Sequence, residues 1–177
     1  MFLSRYFDYT KIKAQLANAI TLTNLAFGII AIILITKDLA HMSLVFIFLA
    51  ALFDRFDGMV ARHFHAESNF GKELDSLSDL ISFGVAPALL IYQTDLSEML
   101  WVGVAATIFF ILAGAVRLAR YNVKEFDGAF YGVPITAAGV VLTLTYFLSP
   151  YIGAQFFVII MGVLGILMVS NIRIAKV

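Results

Sequence analysis

The sequence predicts an all-α fold: a polytopic membrane bundle of six transmembrane helices with an N-terminal interfacial amphipathic helix. Three observations lead there. Of 177 residues, 62% are hydrophobic and 14% charged, where soluble domains run nearer a half and a quarter. Six apolar runs, roughly 18–36, 42–62, 72–93, 97–119, 132–149 and 152–170, approach the ~20 residues that a helix needs to cross a bilayer core. Period-2 alternation is missing and the runs are about twice the length of a barrel strand, which leaves helices as the spanning form.

Taken in order, residues 1–16 are too polar to span. Tyr6, Phe7, Tyr9 and Ile12 beside Arg5, Lys11 and Lys13 suit a helix lying in the interface, and the basic-then-apolar order of a signal peptide is missing. Residues 17–177 then form one six-helix transmembrane domain without repeats. Its breaks are short: Lys37–His41, His63–Gly71, Thr94–Leu96, Arg120–Tyr131 and the Ser149-Pro150 turn. Short breaks make successive spans antiparallel neighbours. Positive charge orients them. With the N-terminus inside, the cytoplasmic ends hold Arg5, Lys11, Lys13, Arg55, Arg62, Lys72, Arg117, Arg120, Lys124, Arg173 and Lys176, and the other face only Lys37. The expected location is the cell membrane, multi-pass, with both termini cytoplasmic. A net charge of zero suggests no nucleic-acid partner, and the lack of cysteine excludes a thiolate metal site.

Carboxylates within spans are costly, and by default they mark function. Asp54 and Asp57 are three apart, Asp75 and Asp79 four apart, so each pair shares one helix face. The polar hairpin between them brings both faces together near the cytoplasmic end. Four like charges at such range repel strongly unless a cation neutralises them. An all-oxygen donor set favours Mg²⁺, Mn²⁺ or Ca²⁺ over zinc, and four carboxylates suit two ions sharing ligands. Gly58, Ala61 and Gly71 leave the helix walls open for a flat ligand, while Arg62 and Lys72 at the rim suit phosphate. Arg55 reads better as a structural partner of an acid or a lipid phosphate. His41, His63 and His65 read as loop residues, and Glu67 and Glu73 as solvated.

These residues spell D-x-x-D-G-x-x-A-R-x8-G-x3-D-x3-D, which resembles the signature of the CDP-alcohol phosphatidyltransferases at every fixed position: Asp54, Asp57, Gly58, Ala61, Arg62, Gly71, Asp75 and Asp79. Upstream, Ala17-Asn18-Ala19-Ile20-Thr21 is similar to the family's P-N-x-x-T segment, with alanine in place of proline. The resemblance implies a six-span core in which Asp54 and Asp75 bridge two divalent cations, Mg²⁺ or Mn²⁺. Asp57 binds one ion and Asp79 the other, and Asp79 is also the general base. It places Asn18, Thr21, Gly58, Ala61, Arg62, Ser68 and Gly71 around the CDP-activated lipid, and it implies a homodimer. The implied reaction is attack of an alcohol on the lipid-side phosphorus with release of CMP.

For the acceptor, Arg117-Leu118-Ala119-Arg120-Tyr121-Asn122 and Phe130-Tyr131-Gly132-Val133-Pro134 resemble the phosphatidylserine synthase branch. Arg117 and Arg120 are three apart and share a face, where an arginine suits the carboxylate of L-serine. The product would be phosphatidylserine or its archaeal ether-lipid equivalent. Glycerol phosphate and inositol phosphate remain as alternative acceptors, since each would need a comparable basic pocket. A divalent-cation transporter is the remote alternative, but it would place acids at the midplane of repeated halves.

Overall fold

Helix α1 (Tyr9–Ile35) opens the fold and runs unbroken. Residues 9–16, expected within a separate interfacial segment, are therefore the first turns of α1. The computed structural model describes residues 9–64, 68–123 and 130–174, with side-chain environments for 15–60, 68–123 and 131–172; Arg5, Tyr6 and Phe7, expected at the interface, lie outside the described residues. At the end of α1 the amides of Lys37 and Asp38 donate to the carbonyls of Leu34 and Ile35. Asp38 adopts a left-handed φ of 59°, a conformation that aspartate tolerates better than most residues. This tight turn sends α2 (Ala40–Phe64) back antiparallel along α1.

Ser68 caps α3 (Asn69–Asp79), its hydroxyl accepting from the Gly71 amide at 3.0 Å. The helix then widens into a π-helical stretch, Leu80–Val85, before α4 (Ala86–Ile91). Pro87 explains the change. It has no N–H for the Phe83 carbonyl four residues back, and the Ala86 amide bonds instead to Ile81, five residues back. Gly139 lies against the Phe83 backbone at this point, where a Cβ would collide. A second π-helical stretch (Tyr92–Leu96) and a 3₁₀ turn (Ser97–Met99) lead to Leu100, whose φ is 40°. There the chain reverses into α5 (Leu100–Val123).

A two-residue strand β1 (Phe130–Tyr131) pairs antiparallel with β2 (Arg173–Ile174), which the sequence did not suggest. Gly132, at a φ of 72°, makes the corner possible: its amide donates to Ile172, and a Cβ would strike the Met168 carbonyl. Helix α6 (Ile135–Thr145) with its 3₁₀ extension to Leu148, and α7 (Ala154–Val169), complete the bundle.

Phe83, Phe110, Ile135, Leu142, Phe157, Met161 and Met168 form the main core, and Ala31, Ile35, Leu44, Ile47 and Leu90 a second. Large apolar side chains also cover the outside: Trp101 is 79% exposed and Ile159 and Ile166 63% each. Such an exterior suits lipid rather than water. Gln15–Ile35 and Asn69–Val123 are long and apolar enough to cross a membrane; Ile135–Leu148 and Ala154–Val169 are apolar but shorter. The 55-residue stretch contains two of the expected spans, divided at Leu100. The fold is all-helical apart from the short ladder, and its apolar helices are those of a membrane protein.

Candidate active site

The second half of α2 carries Asp54 and Asp57, and α3 carries Asp75 and Asp79. Their helical spacing turns each pair to one side, and the α2–α3 hairpin brings the sides together. Carboxylate oxygens of Asp54, Asp57 and Asp75 all lie within 4.8 Å of one another. Asp79 completes the group from one turn deeper, its carboxyl within hydrogen-bonding reach of Asp54. Facing carboxylates repel unless a cation or a shared proton stands between them. Asp57 and Asp79 are 6% and 7% exposed, and Oδ2 of the first and Oδ1 of the second have no hydrogen-bond partner among the described residues. Buried carboxylate oxygens without donors are what an oxygen-seeking divalent cation requires. The donor set fits the cation chemistry expected of it.

Helix α1 forms the opposite wall. Thr21, whose hydroxyl donates to the Ala17 carbonyl at 3.2 Å, stands beside the Asp57 carboxylate. One turn nearer the chain start, Asn18 Oδ1 and Ser68 Oγ close around Gly71: a Cβ there would stand 3.1 and 3.2 Å from them. Asn18, Ser68 and Gly71, expected around the CDP-lipid, thus form one corner, with Ser68 also serving as the cap of α3. Gly58 is half-buried on α2 beside Asp57. The backbone of Ala61 and Arg62 continues α2, but their side chains lie outside the described residues, as does all of His65 and Glu67.

The two arginines part company. Arg117 is half-buried, its charge near Asp79 and its guanidinium 5.9 Å from the Tyr121 ring centroid; Nε has no partner among the described residues. Arg120 turns away, and its Nη1 donates at 2.8 Å to the Val169 carbonyl at the end of α7. Cations suit that position, where the last helical carbonyls lack partners. Sharing a face therefore did not bring the two guanidiniums to one partner.

Other contacts went unforeseen. Asn122 Nδ2 donates to Ser76 Oγ at 3.0 Å, and Lys72 Nζ donates to the Asn122 carbonyl at 3.3 Å while lying over the Tyr121 ring. These ties clamp the start of α3 to the end of α5. Asn24 belongs to none of the sequence motifs. It is fully buried, and neither amide atom has a partner among the described residues. Its signal is the polar series Asn18, Thr21 and Asn24 at a spacing of three, whose last member begins the apolar half of α1.

A cavity of about 460 Å³ lies at the other end of the bundle, lined by Asp38, His41, Gln93, Thr94, Tyr146 and Ser149. Its polar groups serve one another. Gln93 Nε2 donates to Asp38 at 3.1 Å, Thr94 and Ser149 both donate to Asp95, and Tyr146 contacts His41.

Comparison with known proteins agrees with this geometry. The sequence profile of the CDP-alcohol phosphatidyltransferase family matches residues 14–170. A CDP-diacylglycerol–serine O-phosphatidyltransferase of Bacillus subtilis is 37% identical over 131 residues, 72% of this chain and 74% of that protein. One from Methanocaldococcus jannaschii is 36% identical over 162 residues, 91% of this chain and 74% of that protein. The archaetidylserine synthase of Methanothermobacter thermautotrophicus is 34% identical over 165 residues, 92% of this chain and 70% of that protein.

Proposed function

The chain belongs to the CDP-alcohol phosphatidyltransferase family, and from that premise we propose that it transfers the phosphatidyl group of a CDP-activated lipid to L-serine, releasing CMP. The observation that carries this reading is the aspartate group itself: three carboxylates within 4.8 Å, with a fourth whose buried Oδ1 has no partner among the described residues. Relatives of comparable identity that act on serine, with both diacylglycerol-type and archaeal names, support the choice of acceptor.

Asp54, Asp57, Asp75 and Asp79 would hold two divalent cations, Mg²⁺ or Mn²⁺. Ions bound there would supply positive charge against the diphosphate and the departing CMP. Asn18, Thr21, Gly58, Ala61, Arg62, Ser68 and Gly71 receive the CDP moiety, with glycines where a flat base approaches backbone. Arg117 holds the serine carboxylate. Asp79 takes the proton of the serine hydroxyl. The freed oxygen bonds to the lipid-side phosphorus, and the bond from that phosphorus to the bridging oxygen breaks. Phosphatidylserine, or its ether-lipid counterpart, leaves together with CMP.

Among the described residues Arg117 is the arginine near Asp79, which favours serine over glycerol phosphate or inositol phosphate. With Arg120 engaged at Val169, one guanidinium suits a monoanionic carboxylate better than a second phosphate. The six apolar stretches read as six spans of one domain, residues 17–177, with residues 1–16 at the interface. Both termini and the aspartates lie on the cytoplasmic side, and the functional unit is a homodimer. To test the acceptor, purified protein is given CDP-diacylglycerol and Mg²⁺ with serine, glycerol phosphate or inositol phosphate in turn. Serine alone should yield CMP. Release with a phosphorylated acceptor and none with serine would overturn the assignment.

A further inference from the structure

Asn24 on α1 is fully buried with both amide atoms unpartnered among the described residues. Neighbouring contacts fix its depth. On the α2 side, Thr21 stands beside Asp57, and Phe27 packs edge-on against Phe53 with centroids 5.1 Å apart. Because α1 and α2 are antiparallel, Asn24, midway between Thr21 and Phe27, is level with Asp54. On the α3 side, Asn18 meets Gly71 and Gly28 meets Ser82. The parallel run of those helices sets Asn24 level with Ser78 and Asp79. Ser82 Oγ donates to the Asn24 carbonyl at 3.2 Å and holds that backbone in place. Asn24 thus occupies the layer in which Asp54 and Asp79 face each other, closed off from water.

We infer that Asn24 is a positioning residue for the metal site, its carboxamide orienting the Asp54–Asp79 pair to receive a divalent cation. This rests on the reading of the aspartates as a metal site. Ligating carboxylates are themselves held by outer hydrogen-bond partners, which fix their orientation. A carboxamide supplies such a donor without adding a positive charge that would compete with the ion. A residue present only to pack would be apolar, because a buried amide without partners is unfavourable. The unmet hydrogen bonds of Asn24 and the buried Asp54–Asp79 pair lie at one depth.

The test measures Mn²⁺ binding by electron paramagnetic resonance, using the full-length protein without substrate. Asn24→Leu should weaken binding about ten- to a hundredfold while leaving the melting midpoint in chelator equal or higher. Asn24→Ser, which keeps a donor, should lose less, and it decides the matter if the leucine variant does not fold. Wild-type affinity in the Asn24 variants, with Asp57→Asn losing the ion, overturns this inference alone. Wild-type affinity in Asp57→Asn as well overturns the metal reading and the inference with it. A lowered midpoint in chelator with unchanged affinity marks a packing residue and also overturns it.

Discussion

The bundle has two polar ends built from similar residue types, and they differ in whether their groups are satisfied. At the end near the α1–α2 turn, Asp95 accepts from Thr94 and Ser149, Gln93 donates to Asp38, and Tyr146 meets His41. Every one of these carboxylates has a donor. At the other end, among the described residues, Asp57 and Asp79 keep buried oxygens without partners, Arg117 a buried N–H, and Asn24 its whole amide. A self-satisfied cluster stabilises the fold, whereas buried groups without partners call for a separate explanation, here the proposed ions and substrates. Acid content alone does not separate the two ends.

That difference can be broken or sharpened by experiment, beginning with the largest effect. Exhaustive chelation should abolish CMP release, and Mg²⁺ or Mn²⁺ should restore it; full turnover in chelator would make the aspartate end as self-sufficient as the other. Asp57→Asn, which preserves shape, should lower kcat by about 10²–10³-fold with little change in melting midpoint, as followed by thermal denaturation in detergent. Arg117→Lys should raise the serine KM about tenfold, roughly 1.4 kcal/mol, with a smaller effect on kcat, because an ammonium cannot reproduce a two-pronged hold on a carboxylate. An unchanged KM would detach Arg117 from the acceptor. At the opposite end the expectation reverses. Asp95→Asn should lower stability by about 1.5–3 kcal/mol, since two charge-assisted hydrogen bonds weaken, while turnover stays within about twofold. A large loss of activity with unchanged stability would erase the contrast.

The aspartate end was legible in the sequence because its signal is local. Spacings of three and four put each pair on one face, and a short hairpin brings the faces together, so no long-range information was needed. The corner of Asn18, Ser68 and Gly71 joins α1 to α3 across about fifty residues, and only the family resemblance linked its members in the sequence. Arg120 was not legible, since its partner, the Val169 carbonyl, lies 49 residues away and no local spacing distinguishes that bond from an acceptor site. Asn24 stood in a visible polar series, but only its burial and empty hydrogen bonds set it apart from an ordinary polar residue. The π-helical stretch after Asp79 follows from Pro87, eight residues on, combined with the approach of Gly139 from α6; the proline is plain in the sequence and the approach is not. The β1–β2 ladder is two residues long and leaves no periodicity to read. The unbroken course of α1 through residues 9–35 shows that a change from polar to apolar need not interrupt a helix.

Under the proposed mechanism Asp79 both helps the other three aspartates hold the cations and takes the proton of the attacking alcohol. The direct measurement compares wild-type protein with Asp79→Asn, following serine-dependent CMP release and CDP-lipid binding on the same preparation. Release should fall by about 10²–10⁴-fold, the range for loss of a general base, with CDP-lipid binding largely retained. Wild-type turnover in the asparagine variant would contradict it.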